Sequence, residues 1–352
     1  MSDTLQADVT PPPTHDERVG RRSGLARLFA RPEAGALAGA IVIYIFFFII
    51  APPFRNASSL STILYISSTY GLMATPIALL MIGGEFDLSA GVAVITAALA
   101  ASLFSFEFTV NVWVGVAVAL VIALLVGFIN GWIVTRTGIP SFLVTLGTFF
   151  MLEGLNLALT RTITNQVASP DISNIQGFSS AQKVFATSFT IGGVSVNITV
   201  VYWIVFVLIA TWILLRTRIG NWIFSVGGNA PSARAVGVPV GRMKIGLFMA
   251  VGFMAWFTGM HTLLLFNTIQ SGQGVGNEFV YIIAAVVGGC LLTGGYGSAV
   301  GAAIGAFIFG MTNQGIVYAG WDPDWFTFFL GALLLGAILL NTYIRRRAEA
   351  AR

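Results

Sequence analysis

Apolar stretches of about twenty residues follow one another along nearly the whole sequence, and that recurrence leaves few folds open. They fall at 34–51, 61–83, 88–106, 111–135, 139–160, 198–215, 243–268, 279–293, 297–318 and 325–344. A helix rises 1.5 Å per residue, so about 20 apolar residues cross the roughly 30 Å of hydrocarbon in a bilayer. A spanning backbone must satisfy its own N–H and C=O groups, which leaves helices or closed barrels. Barrel strands would appear as segments of about ten residues alternating apolar and polar, and no such alternation runs through this chain. The fold class is therefore all-α: a polytopic helical membrane protein with about ten transmembrane spans. Only 9% of the residues are charged, against about a quarter in a soluble domain.

Lys and Arg are retained on the cytoplasmic side of short loops. With the N-terminus inside and ten crossings, that side holds Arg18, Arg21, Arg22, Arg27, Arg31, Arg136, Arg216, Arg218, Arg234, Arg242, Lys244, Arg345, Arg346, Arg347 and Arg352. The opposite side holds Arg55, Arg161 and Lys183, together with the acidic Glu107, Asp171, Glu278, Asp322 and Asp324. This partition predicts that both termini are cytoplasmic. It also accounts for a net charge of +4 and a pI near 9.5 without nucleic acid as a partner. Residues 1–33, with Pro11, Pro12, Pro13 and five arginines, read as a disordered cytoplasmic tail. They are too long and too charged for an ordinary cleaved signal peptide. Residues 34–344 form the transmembrane domain and 345–352 a second cytoplasmic tail.

Two stretches depart from simple crossings. The apolar run 279–293 is short and interrupted by Gly288 and Gly289, as in a re-entrant or broken span. The turn Gly83-Gly84-Glu85-Phe86-Asp87-Leu88-Ser89 joins two apolar runs too closely for a solvated loop, which places its carboxylates at membrane depth. Small residues recur at helical spacing in Gly297, Gly301 and Gly305, and again in Gly127 and Gly131. Such faces let helix backbones approach closely in lipid, either between subunits or within one. Cys290 is the only cysteine and reads as a small packing residue. His15 lies in the tail and His261 alone in a span, with no second His or Cys at ligand spacing, so no metal site is expected. Gly272-Gln273-Gly274-Val275-Gly276 follows no strand and reads as a flexible turn on the outer side rather than a nucleotide loop. Trp321 and Trp325, flanking Asp322-Pro323-Asp324, suit the membrane–water interface.

The cytoplasmic segment 216–242 contains Gly227-Gly228-Asn229-Ala230-Pro231-Ser232-Ala233-Arg234-Ala235-Val236-Gly237-Val238. It resembles the G-x-N-x-x-A-A-R-x-x-G-I coupling segment of the ribose-type permeases of bacterial ABC importers, departing at Ser232 and Val238. Other motifs of that family follow in the same order along the chain. The 83–91 turn resembles G-G-x-x-D-L-S-x-G, and Pro140-Ser141-Phe142-Leu143-Val144-Thr145-Leu146-Gly147-Thr148 resembles P-x-F-x-V-T-L-G-T. The stretch from Glu278 to Gly305 resembles E-x-x-x-I-A-A-x-V-x-G-G…G-G-x-G-S. Together these cover about 60 to 345. The resemblance implies a cytoplasmic ATP-binding cassette subunit, a periplasmic solute-binding protein and a second permease chain, in a homodimer or a close-paired heterodimer. It further implies a location in the bacterial cytoplasmic (inner) membrane, and a monosaccharide or related polyol as solute.

The chain itself carries no energy source. A phosphate-binding loop spells G-x-x-x-x-G-K-[ST], and neither of the two lysines, Lys183 and Lys244, follows a glycine. ATP is thus bound by a partner, no cofactor is expected, and the chain is not an enzyme; no G-x-S-x-G accompanies a histidine for intramembrane proteolysis. In the coupling segment Gly228, Asn229, Ala233, Arg234 and Gly237 are the residues of interest. Asn229 reads as a helix N-cap and Pro231 as a first-turn residue, with Arg234 free to pair with a carboxylate on the cassette. Within the spans, Thr145, Thr148, Glu153 and Asn156 either line a solute path, where hydroxyls and amides match sugar hydroxyls, or hydrogen-bond between helices. Asp87 and Ser89 either cap the third span or face the path. An amino acid permease of branched-chain type has the same broad architecture. An ion-coupled secondary transporter would need buried ionisable groups, for which Glu85, Asp87 and Glu153 are available.

Overall fold

The structure, a computed structural model, describes residues 32–350 and the side chains of residues 33–339. All but the last two residues of the expected 1–33 tail therefore lie outside the described residues. The helices are α1 (Pro32–Ile50), α2 (Ala57–Ile82), α3 (Ala90–Glu107), α4 (Val112–Thr137), α5 (Ser141–Thr164), α6 (Phe178–Phe185), α7 (Ile198–Arg216), α8 (Arg218–Gly228), α9 (Ala230–Ala235), α10 (Val240–Phe266), α11 (Asn277–Val287), α12 (Ala299–Tyr318) and α13 (Trp325–Ala350). A helix stands at each of the ten apolar stretches. Eight of them are long and apolar enough to cross a membrane: α1 to α5, α7, α10 and α12. The helix α13 covers the apolar stretch 325–344 and continues to Ala350, into the expected 345–352 tail.

The exception in length is α11. Its 11 residues rise only about 16 Å, half the hydrocarbon thickness. It ends where Gly288 caps it and Gly289 turns to φ +93°. Elsewhere the helix ends follow local chemistry. Asn111 Oδ1 accepts from Trp113 N at 3.0 Å to start α4, and Gly138 at φ +73° closes it.

Burial divides the helices into two groups. About three-quarters of α2, α3 and α10 is buried, against a third or less of α1, α4, α5 and α7. The buried three form the centre, with α10 packed along α4, α3 and α2, and α12 along α2, α11 and α1. Lipid tails are as apolar as leucine, so contact between such helices comes from close packing. The glycine stripes serve it: Gly127 and Gly131 of α4 lie on the backbone of α10 at Phe248 and Ile245. Similarly Gly301 and Gly305 of α12 lie on the carbonyls of Gly288 and Ala284, while Gly297 sits against Cys290 and Ile82. Both stripes are thus used within the chain, between α4 and α10 and between α11 and α12.

Between α5 and α7 the chain leaves the long helices but stays packed on them, with Phe178, Ala181 and Phe185 buried in the main core. It forms α6 and a hairpin of β1 (Ser188–Ile191) and β2 (Val194–Asn197) with Ser188 opposite Asn197. Gly192 and Gly193, at φ +58° and +81°, make the two-residue loop that matches strand twist. Phe185 of α6 packs edge-on against Trp256 and Phe257 of α10.

Candidate functional site

The segment between α7 and α10 is built around the six-residue helix α9. Asn229 Oδ1 accepts from Ser232 N at 2.9 Å, and Pro231 occupies the first turn, where a missing N–H costs nothing. At the other end Gly237 adopts φ +87°. Val238 N donates to Ala233 O and Gly237 N to Arg234 O, each at 3.0 Å. This pair of bonds is the Schellman closure, and it comes with the expected apolar contact between the residues it joins. Ala233 and Val238 are buried together with Val226 and Val240. Asn229, Pro231, Ala233, Gly237 and Val238 therefore all hold the shape of the segment. Arg234 does not: it is exposed, as are Pro231, Ser232 and Val236, the last at 80%.

Immediately before Asn229, the backbone of α8 meets two other elements. A methyl group at Gly227 would overlap Ile82 O at the end of α2 and Gly295 N in the loop before α12. That Gly295 N–H donates to Ile82 O at 2.8 Å. Gly84 and Gly294, both at positive φ, pack on each other and on Gly227. Three glycine pairs, 83–84, 227–228 and 294–295, thus converge backbone to backbone. Beside them Lys244, one turn into α10, pairs with the buried Glu85, the one ion pair among the described residues.

Deeper in the same turn, four of the six residues proposed for the solute path come together. Asp87 is 3% exposed and its Oδ1 accepts from Ser89 N at 2.8 Å and Ser89 Oγ at 2.5 Å. Asn130 Nδ2 of α4 donates to Ser89 Oγ at 3.0 Å, and Thr148 Oγ1 of α5 donates to Asn130 Oδ1 at 2.6 Å. The backbone of the turn is held by α5 as well: Leu88 N donates to Thr145 Oγ1 and Phe86 N to Ser141 Oγ, each at 3.0 Å. Ser141, Thr145 and Thr148 share one helical face, so a single stripe of hydroxyls serves the whole turn. Interhelical hydrogen bonds of this kind contribute about 0.6–2 kcal/mol each in membranes. The other two candidates lie apart. Asn156 is buried, with Nδ2 3.5 Å from Val92 O, and Glu153 is half-buried.

Asn130 was missed from sequence. Its signal was present, since a lone amide inside a strongly apolar span is costly and needs a partner. The 272–276 stretch forms the turn read from sequence, and Gly274 within it lies against Gly91 O, at the start of α3. Glu278, on the first turn of α11, is 2% exposed and accepts from Gly276 N at 3.1 Å. The turn therefore folds back into the bundle, as the half-length of α11 requires. His261 lies between Phe185 O, 2.8 Å from Nδ1, and the Tyr65 hydroxyl, 3.3 Å from Nε2.

Comparison with known proteins adds to this geometry. Residues 59–338 match the family model described as "Branched-chain amino acid transport system / permease component". The fructose import permease protein FrcC of Rhizobium meliloti is 28% identical over 322 residues, 91% of this chain and 88% of that protein. The galactose/methyl galactoside import permease protein MglC of Escherichia coli (strain K12) is 29% identical, covering 90% of this chain and 96% of its own. The ribose import permease protein RbsC of the same strain is 30% identical over 88% of this chain and 93% of its own. No solved structure matches the chain significantly.

Proposed function

This chain belongs to the family of branched-chain amino acid transport system permease components, and from that premise we propose that it carries a monosaccharide or related polyol across the cytoplasmic membrane by alternating access. It is a multi-pass membrane subunit of an ABC importer, a transporter and not an enzyme. Importers of this class work with an ATP-binding subunit and a solute-binding protein. The sugar class is supported by the printed names of the relatives, which import fructose, galactose and ribose, against the amino acids in the family description.

In this reading both termini and the 216–242 segment face the cytoplasm, where α9 docks on the cassette. The carrying observation is the division of labour in α9: its cap, its closure and its buried alanine fix the shape, leaving Arg234 exposed. Binding of ATP draws two cassettes together and displaces α9. The displacement passes through Gly227 into the 83–89 turn and the loop before α12. A second permease chain, most simply an identical one, completes the pathway.

The test is the importer assembled with its own cassette in proteoliposomes. Arg234→Glu is expected to abolish uptake of labelled sugar while the cassette still hydrolyses ATP and the melting temperature stays unchanged. Wild-type uptake by that variant sinks the docking assignment. Uptake that survives ATP depletion but stops when the proton gradient is collapsed would instead identify an ion-coupled carrier.

A further inference from the structure

One cavity among the described residues is neither apolar nor explained by the coupling machinery. It has a volume of about 170 Å³ and lies between α2, α3, α10, the 272–276 turn and the start of α11. Tyr70, halfway along α2, and Tyr281 of α11 bring aromatic rings to it; Gln273 and Asn277 bring amides. Tyr65 also lines it, its hydroxyl tied to His261. Thr258 of α10 is 4% exposed and lines the cavity, and its Oγ1 has no hydrogen-bond partner among the described residues. A buried hydroxyl without a partner costs about 1–3 kcal/mol, a deficit that a hydroxyl-bearing ligand reaching Thr258 would relieve. A water needs about 10–15 Å³ of such space, so the cavity holds several waters or one small solute that replaces them.

We infer that this cavity is a transit site for an uncharged, polyhydroxylated solute, an assignment that rests on the permease reading. Tyr70 and Tyr281, which line the cavity, supply aromatic surface suited to the C–H side of a sugar ring. Each amide supplies both donor and acceptor, matching hydroxyls that are themselves both, and the Thr258 hydroxyl gains the partner it lacks. No Asp, Glu, Lys or Arg lines the cavity. The carboxylate beside it, Glu278, is turned to Gly276 N and to Gly91. A zwitterionic amino acid would leave two charges without counter-charges, at a desolvation cost of several kcal/mol each. The site therefore selects the sugar class over the amino acids in the family description.

The test uses the full chain in membrane vesicles and its assembled importer, with D-ribose, D-galactose, D-fructose and L-leucine as probes. In a Cys290→Ser background, Gln273→Cys is expected to react with a hydrophilic maleimide, and millimolar excess of at least one sugar slows the reaction while L-leucine does not. In radiolabelled uptake, Asn277→Ala and Thr258→Val lower Vmax for that sugar about fivefold at unchanged membrane level and melting temperature. Thr258→Val removes only an unpartnered hydroxyl, so it keeps the test open if Asn277→Ala fails to fold. An unreactive Gln273→Cys, a rate that no sugar changes, protection by L-leucine, or wild-type Vmax in Thr258→Val each overturns the assignment. Arg234→Glu run alongside separates the readings: lost uptake there with wild-type Vmax in the cavity variants removes the transit site alone. Wild-type uptake in Arg234→Glu removes the coupling as well.

Discussion

The 83–89 turn and the 272–276 turn both interrupt the helical bundle with glycines, yet they are finished differently. In the first, Asp87, Ser89, Asn130, Thr145 and Thr148 satisfy one another and the local backbone, and Glu85 has Lys244. Around the second, Thr258 Oγ1 and Glu278 Oε2 are buried without partners among the described residues, and a cavity lies alongside. A closed network in low dielectric fixes geometry, and open valences in the same medium are costly. The two breaks thus differ in how fully their polar groups are satisfied.

That contrast can be broken experimentally, most severely at the glycine junction. Gly227→Val forces a side chain into the Ile82 carbonyl and Gly295 N. A loss of more than about 3 kcal/mol is expected, read as disappearance of the monodisperse peak in size-exclusion chromatography. A well-behaved Gly227→Val protein would show that the junction is not tight. Next, Asp87→Ala strips the acceptor from Ser89 N and Oγ, for about 2–3 kcal/mol, seen as a lower melting temperature in detergent. Asp87→Asn should recover part of it by keeping an acceptor oxygen. At Asn229→Ala the lost cap costs about 1 kcal/mol, confined to faster amide exchange over 230–238; a global destabilisation would mean that α9 is part of the core. The smallest effect belongs to the open site. Thr258→Val should leave the solute-free melting temperature within about 0.5 kcal/mol of wild type or raise it, and a marked drop would place Thr258 among the satisfied groups.

The helices were legible because the bilayer dictates a length that composition must meet, and the two irregular places announced themselves as Gly-Gly pairs at 83–84 and 288–289. Asn229 and Pro231 were legible too, since caps and first turns depend on neighbours in sequence. Partnerships were not. Helical spacing puts Thr145 and Thr148 on one face but cannot say that the face meets Leu88 N and Asn130. Nor does a run such as 272–276 reveal whether its glycines serve a mobile loop or, as Gly274 does, a squeeze against another backbone. The α6–hairpin unit went unread although Gly192-Gly193 sits between alternating residues, because a two-residue turn is a faint signal beside long apolar runs.

The one-sided construction of α9 has a practical corollary. Its inward residues are committed to the fold, but Pro231, Ser232, Arg234 and Val236 all point away from it. Of these, Ser232, Arg234 and Val236 bring no side chain to the contacts that shape the segment, so on the proposed docking a foreign motor subunit would be suited by rewriting three side chains.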